Sequence, residues 1–263
     1  MGNTKQTGFT LVEMSIVLAV LALTIGSVLA GQKMVRQARV NSIIADVKMY
    51  ESAIGQFKDK YGDVPGDMAN ATSYWGIAGG NAGDNYTASC YAIQGTGTQT
   101  CNGNGDGRIG GNTEAFRFWQ QLANAGMIEG SYTGVAGAAG GTDHVIDQNC
   151  PASRVPGAGY GIADRGIESG GDSFFDGTYN LTFAYGAYWA THSPMNSAIT
   201  TAEAYSLDTK FDDGLPATGN IRTLQNGNAY GVSTLCATSA DATATYNIAA
   251  QGNQCSLNFI TGY

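Results

Sequence analysis

One stretch limits this chain more than any other. From Leu11 to Ala30 it is almost wholly apolar, Glu13 is the single charge, and the next charge comes at Lys33. A run of about 20 apolar residues matches the hydrocarbon thickness of a bilayer, so the segment is a membrane helix or a secretory signal. A carboxylate inside such a span costs roughly 2.5–3.5 kcal/mol on insertion scales, so Glu13 needs a partner or a task. Three readings compete. Val28-Leu29-Ala30 would serve as the cleavage site of a conventional signal peptide. Against that reading stand a leader with only Lys5 and the carboxylate itself. The second reading is a plain anchor helix. Lys33, Arg36 and Arg39 outnumber Lys5, and by the positive-inside count they would keep the larger part of the chain in the cytoplasm. That count is overridden here, because a cysteine-bearing, lysine-poor domain follows and long domains translocate largely regardless of charge.

The third reading accounts for both oddities. Gly8-Phe9-Thr10-Leu11-Val12-Glu13 stands behind a short polar leader. The pattern resembles the N-terminal signal of type IV prepilins and type II secretion pseudopilins, and the specific match covers about residues 1–35. The resemblance implies that a prepilin peptidase cuts after Gly8 and N-methylates the new first residue, Phe9. It implies that the Glu13 carboxylate meets the positive N-terminus of a neighbouring subunit in a filament core. The partners it implies are the peptidase, identical or related pilin subunits, an inner-membrane assembly platform with its ATPase, and the lipid bilayer. The implied course runs from an inner-membrane, single-pass precursor with its head outside the cytoplasm to a periplasmic pseudopilus or a cell-surface pilus.

Beyond the span the pattern changes. Val40, Ile43, Ile44, Val47, Tyr50, Ile54, Phe57 and Tyr61 recur at three- and four-residue steps and make one apolar stripe. Gly62-Asp63-Val64-Pro65-Gly66 ends the helix. Gly26 and Gly31 are its soft points. The expected organisation is a leader at 1–8, a membrane and assembly helix at 9–61, and a head at 62–263. Gly-rich segments at 76–105 and 130–175 read as loops. Thr113 to Ala125 reads as a helix capped by Asn112 or Thr113, with Phe116, Trp119 and Leu122 buried and Gly126 as its stop. Leu181, Phe183 and Tyr185 alternate as on a half-buried strand, a short helix is expected at Thr201–Lys210, and further strands near 219–223, 244–249 and 256–260. The fold class is α+β: a long N-terminal helix, membrane-spanning in its first half and amphipathic in its second, packed on an antiparallel sheet. The sheet rests mainly on the pilin resemblance.

Residues 62–263 hold six Lys/Arg against seventeen Asp/Glu. An acidic head argues against nucleic acid, whose phosphates need a basic face. No catalytic constellation is spaced around His144 or His192, and Gly157-Ala158-Gly159-Tyr160-Gly161 follows no clear strand, so it is no phosphate loop. The chain therefore reads as a structural filament subunit rather than an enzyme. The alternative is a membrane-tethered adhesin or hydrolase that uses the same signal. Asn102, Asn104 and Asp106 alternate with glycines as in an EF-hand-like calcium loop, with Glu114 one residue late as the closing carboxylate. A Gly/Asn turn capping the next helix explains the same residues. Asp208, Asp212 and Asp213 form a second acidic cluster, read as a solvated turn.

The five cysteines include no C-x-x-C pair, which speaks against zinc and, in an exported protein, for disulfides. Cys90 and Cys101 bracket a Gly- and Thr-rich loop. Cys236 and Cys255 flank the C-terminal strands, where the pilin resemblance implies a disulfide-bounded loop. The expected pairing is 90–101 and 236–255 with Cys150 free, although five cysteines allow other pairings.

Overall fold

The computed structural model describes residues 8–79, 92–110, 113–169, 173–225 and 235–263. The chain forms two compact units, one reaching to Arg39 and one comprising Val40–Tyr263. Helix α1, Leu11–Tyr61, contributes to both and is unbroken through Gly26 and Gly31. Its residues up to Arg39 are all exposed, and the helix is long and apolar enough to cross a membrane. From Val40 onward a different helix surface begins. Val40, Ile43, Val47, Tyr50, Ile54 and Phe57 are buried at helical spacing, as the stripe requires. Gly62 closes the last turn, its N–H bonding to the Lys58 carbonyl at 2.8 Å.

The stripe packs on a four-stranded antiparallel sheet. In chain order the elements of the head are α2 (Thr72–Trp75), α3 (Glu114–Asn124), β1 (Ala158–Glu168), β2 (Gly177–Ala187), β3 (Ile199–Thr200), α4 (Thr201–Phe211), β4 (Ile221–Arg222), β5 (Asn253–Cys255) and β6 (Leu257–Ile260). The sheet order is β1-β2-β6-β4, and β3 pairs with β5 separately. Tyr160 and Ile162 of β1, Leu181, Phe183 and Tyr185 of β2, and Leu257 and Phe259 of β6 face α1 in one core with Phe118, Trp119 and Leu122 of α3. Tyr50 stands at its centre. Its ring meets Trp119 at 5.0 Å, Tyr160 at 5.3 Å and Phe183 at 5.8 Å. The first two are edge-on arrangements, which the ring quadrupole favours.

Three expectations need correction. Strand β1 lies inside the segment expected to be loop, because its outward face is small: Gly159, Gly161 and Ala163 alternate with Tyr160 and Ile162 and give no apolar signal. Those small residues are required by close neighbours. A Cβ on Gly161 would come within 2.8 Å of Pro194 Cδ, inside van der Waals contact. Strand β2 is half-buried only in its first half, where Thr178 and Asn180 are exposed; from Thr182 to Gly186 every residue is buried, and Phe174, Tyr179, Ala184, Met195 and Leu224 make a second apolar cluster. The strand expected near 244–249 is reduced to a single bridge, Ala237 with Tyr246, and the pairing moves to β5. Helix α3 is buried all round, including Arg117, Gln120 and Gln121. Thr113 makes no side-chain cap, and Asn112 lies outside the described residues.

Cys236 and Cys255 form a disulfide across 19 residues of sequence. Cys101 is disulfide-bonded, and its expected partner Cys90 lies outside the described residues. Cys150 is a free thiol with no exposure, and burial raises its pKa well above the ordinary thiol value. Cys150 should therefore alkylate only after denaturation, while replacing both Cys236 and Cys255 by Ser should lower stability by roughly 3 kcal/mol, as loop closure of this length implies. Maleimide labelling with and without denaturant, and urea unfolding of the double variant, check both; labelling of the native head at Cys150 contradicts the burial.

Candidate functional site

The N-terminal motif is built on the first turn of α1. Thr10 and Glu13 form a reciprocal capping box. Glu13 Oε2 accepts from the Thr10 N–H and from Thr10 Oγ1, both at 2.8 Å, and Thr10 Oγ1 accepts from the Glu13 N–H at 3.2 Å. The motif thus satisfies backbone donors that a helix start leaves open and places a negative charge at the positive end of the dipole. The sequence spacing Thr-x-x-Glu carries that signal. Gly8 has open space around it, and Phe9 is 83% exposed.

The chain from residue 3 to residue 29 matches the model of the prokaryotic N-terminal methylation motif. No curated protein and no solved structure matches the chain. The chain thus carries a prepilin-type signature at its N-terminus, which leads into a long apolar helix followed by an α+β head.

The loop expected to hold calcium is organised around a carboxylate that the sequence did not single out. Asp67, fully buried, accepts from the N–H groups of Gly105 (2.7 Å), Asp106 (3.2 Å) and Gly107 (2.7 Å). Glu114 accepts from Asn104 N–H at 3.1 Å and Gly110 N–H at 2.6 Å. Asn102 Oδ1 accepts from Thr72 N–H, and Asn104 Oδ1 from Asp106 N–H. Asp106 accepts from the Arg108 N–H and from the Asn104 amide. The side-chain oxygens expected as calcium ligands are thus each engaged by an N–H donor. Gly103 is fixed by the same close approach, since a Cβ there would lie 2.3 Å from the Asp67 backbone. Burial raises the pKa of both Asp67 and Glu114, against the lowering effect of the N–H bonds they accept.

Among the described residues, one group of three carboxylates converges: Asp208, Asp212 and Asp213 bring oxygens within 4.8 Å of one another. Asp208 sits in α4, which begins with a second capping box, Thr200 with Glu203, also readable from its spacing. Asp208 is buried and accepts from Tyr246 OH at 2.7 Å and Gly214 N–H at 3.0 Å. Asp212 accepts from the N–H groups of Asn220 and Ile221, which ties the turn to β4. Burial, aided by the charges of Asp213 and Asp212, pushes Asp208 up to about 7. His144, buried with Nδ1 on the Thr142 carbonyl, is pushed the other way to about 4 by burial.

Two measurements follow. Asp67→Ala removes the acceptor of three backbone N–H groups, of which Gly107 N–H has no second bond among the described residues, and should cost about 1–3 kcal/mol in urea unfolding, whereas substitution of the exposed Asp106 should cost much less. The second concerns pH. The folded head holds a proton on Asp208 between about pH 4 and pH 7 that the unfolded chain has lost, so this group's contribution to stability falls as pH rises through that window. His144 acts oppositely, because the unfolded chain takes up its proton first as pH falls below about 6.5. Asp208→Asn removes only the first contribution. Its stability relative to the parent should therefore rise from pH 4 to pH 8, and a pH-independent difference contradicts the assignment.

Proposed function

We propose that this chain is a structural subunit of a type IV pilus-like or type II secretion pseudopilus filament. In this reading it is processed by a prepilin peptidase between Gly8 and Phe9, methylated at Phe9 and assembled through α1. The observation that carries the reading is the methylation motif on a helix whose residues up to Arg39 are exposed all round. Phe9, Leu11, Leu18, Leu23 and Leu29 are each more than half exposed in one copy. Lipid covers such a surface in the precursor, and other copies cover it in a fibre. The capping box gives Glu13 a place in the single subunit, and its exchange for a neighbour's N-terminal ammonium is the assembly step. A head exported by this route is a periplasmic or surface-displayed module. The rival, an adhesin or hydrolase on the same anchor, is distinguished by whether the chain enters filaments at all.

The mature protein should begin at methylated Phe9, and Glu13→Ala should still be processed and membrane-bound while its yield in sheared filaments falls at least tenfold. N-terminal sequencing and immunoblots of sheared fractions read this directly. A mature chain starting after Ala30 overturns the processing step, and full filament yield from Glu13→Ala as sole copy overturns the role of the carboxylate.

A further inference from the structure

A cleft of about 530 Å³ opens beside the buried half of α1. It is walled by Asp46, Met49 and Tyr50 of α1, by Met127, Glu129 and Tyr132 beyond α3, and by Asp147 and Arg154. Three carboxylates therefore face one guanidinium. Asp46 is buried and accepts from Tyr160 OH at 3.0 Å, and Arg154 reaches it only at 3.7 Å from a side chain that is 73% exposed. Glu129 is exposed, and neither it nor Asp147 has an ion pair among the described residues. The walls combine carboxylates with tyrosine rings and methionines. Such walls suit a long basic side chain, which buries its methylenes and keeps its charge on acidic groups and ring faces.

The chain itself carries the complementary group. Lys33, Arg36 and Arg39 follow one another at three-residue steps on α1, all exposed, and no acidic residue occurs between Glu13 and Asp46. The head, by contrast, is strongly acidic. We infer that the cleft receives the basic segment of α1 from a second copy of this chain, with Arg36 of that copy on Glu129. This deepens the filament reading and rests on it. The donor and acceptor surfaces are different parts of the chain, so the contact is head-to-tail, the kind that propagates into an open helical array rather than closing as a dimer. Opposed charge at such a contact fixes register and suppresses wrong partners more than it adds affinity.

The test is a charge exchange in the full-length protein expressed as sole copy. Arg36→Glu and Glu129→Arg should each lower the yield of sheared filaments at least tenfold, and the double variant should restore it to within about threefold of the parent. Membrane-fraction and processing assays on each variant separate an assembly defect from a folding or export defect. Normal filaments from either single variant, or failure of the double variant to recover, overturns the inference and leaves the filament reading standing. If Arg36→Glu instead weakens binding to vesicles containing anionic phospholipid and Glu129→Arg does not compensate, the basic segment reads lipid phosphate and the inference is wrong. Absence of the parent protein from sheared filaments defeats the filament reading itself, and the inference with it.

Discussion

A single helix in this protein presents two different surfaces, and the head depends on the point where one gives way to the other. Up to Arg39 no side chain of α1 is covered, and from Val40 one stripe is buried completely. Among the described residues, no other helix that contributes to this core approaches α1 in length. Remove Tyr50, and Trp119, Tyr160 and Phe183 lose the ring they share. The same stripe admits Asp46, a carboxylate whose pKa burial raises even though Tyr160 donates to it. A charged group at that depth is retained at a cost, which fits a residue that also borders an open cleft.

Away from α1 the head is organised less by ladders than by carboxylates. Asp67, Glu114 and Asp212 each accept two or more backbone N–H groups from segments rich in glycine, and these bonds take the place of regular structure in satisfying the main chain. Charge-assisted bonds of this kind are strong enough to hold a loop in one conformation. For Asp67, Glu114 and Asp208, desolvation outweighs the favourable bonds, and the pKa is raised.

The sequence made plain whatever recurs within a few residues. The stripe on α1, its stop at Gly62, helix α3 with Phe116, Trp119 and Leu122, and the Gly8–Glu13 motif all rest on short spacings; the structure buries the stripe and α3 in helices and sets the motif at the exposed start of α1. What depends on distant partners stayed hidden. Asp67 has nothing nearby to mark it, because its donors lie 38 to 40 residues later. Strand β1 was missed because its alternation is between large residues and glycine or alanine, a pattern indistinguishable from loop until Pro194 and Ser193 are seen to press against Gly161. The two capping boxes, Thr10 with Glu13 and Thr200 with Glu203, are legible in the sequence at their three-residue spacing.

The glycines on the outward face of β1 and β2 have a further consequence. A Cβ on Gly186 would lie 2.6 Å from the carbonyl oxygens of Pro194 and Asn196, much as one on Gly161 would meet Pro194. Around Gly186 the sheet meets main chain directly, and at Gly159 and Gly161 it meets Pro151, Ile146, Ser193 and Pro194, so none of the three positions has room for a side chain. Variation that preserves this fold has little access to these positions through residue identity. It is left to insertions and deletions at the loop tips, where backbone can lengthen without disturbing the sheet. A head built this way diversifies by the length of its excursions, and its outline can change while its core stays fixed.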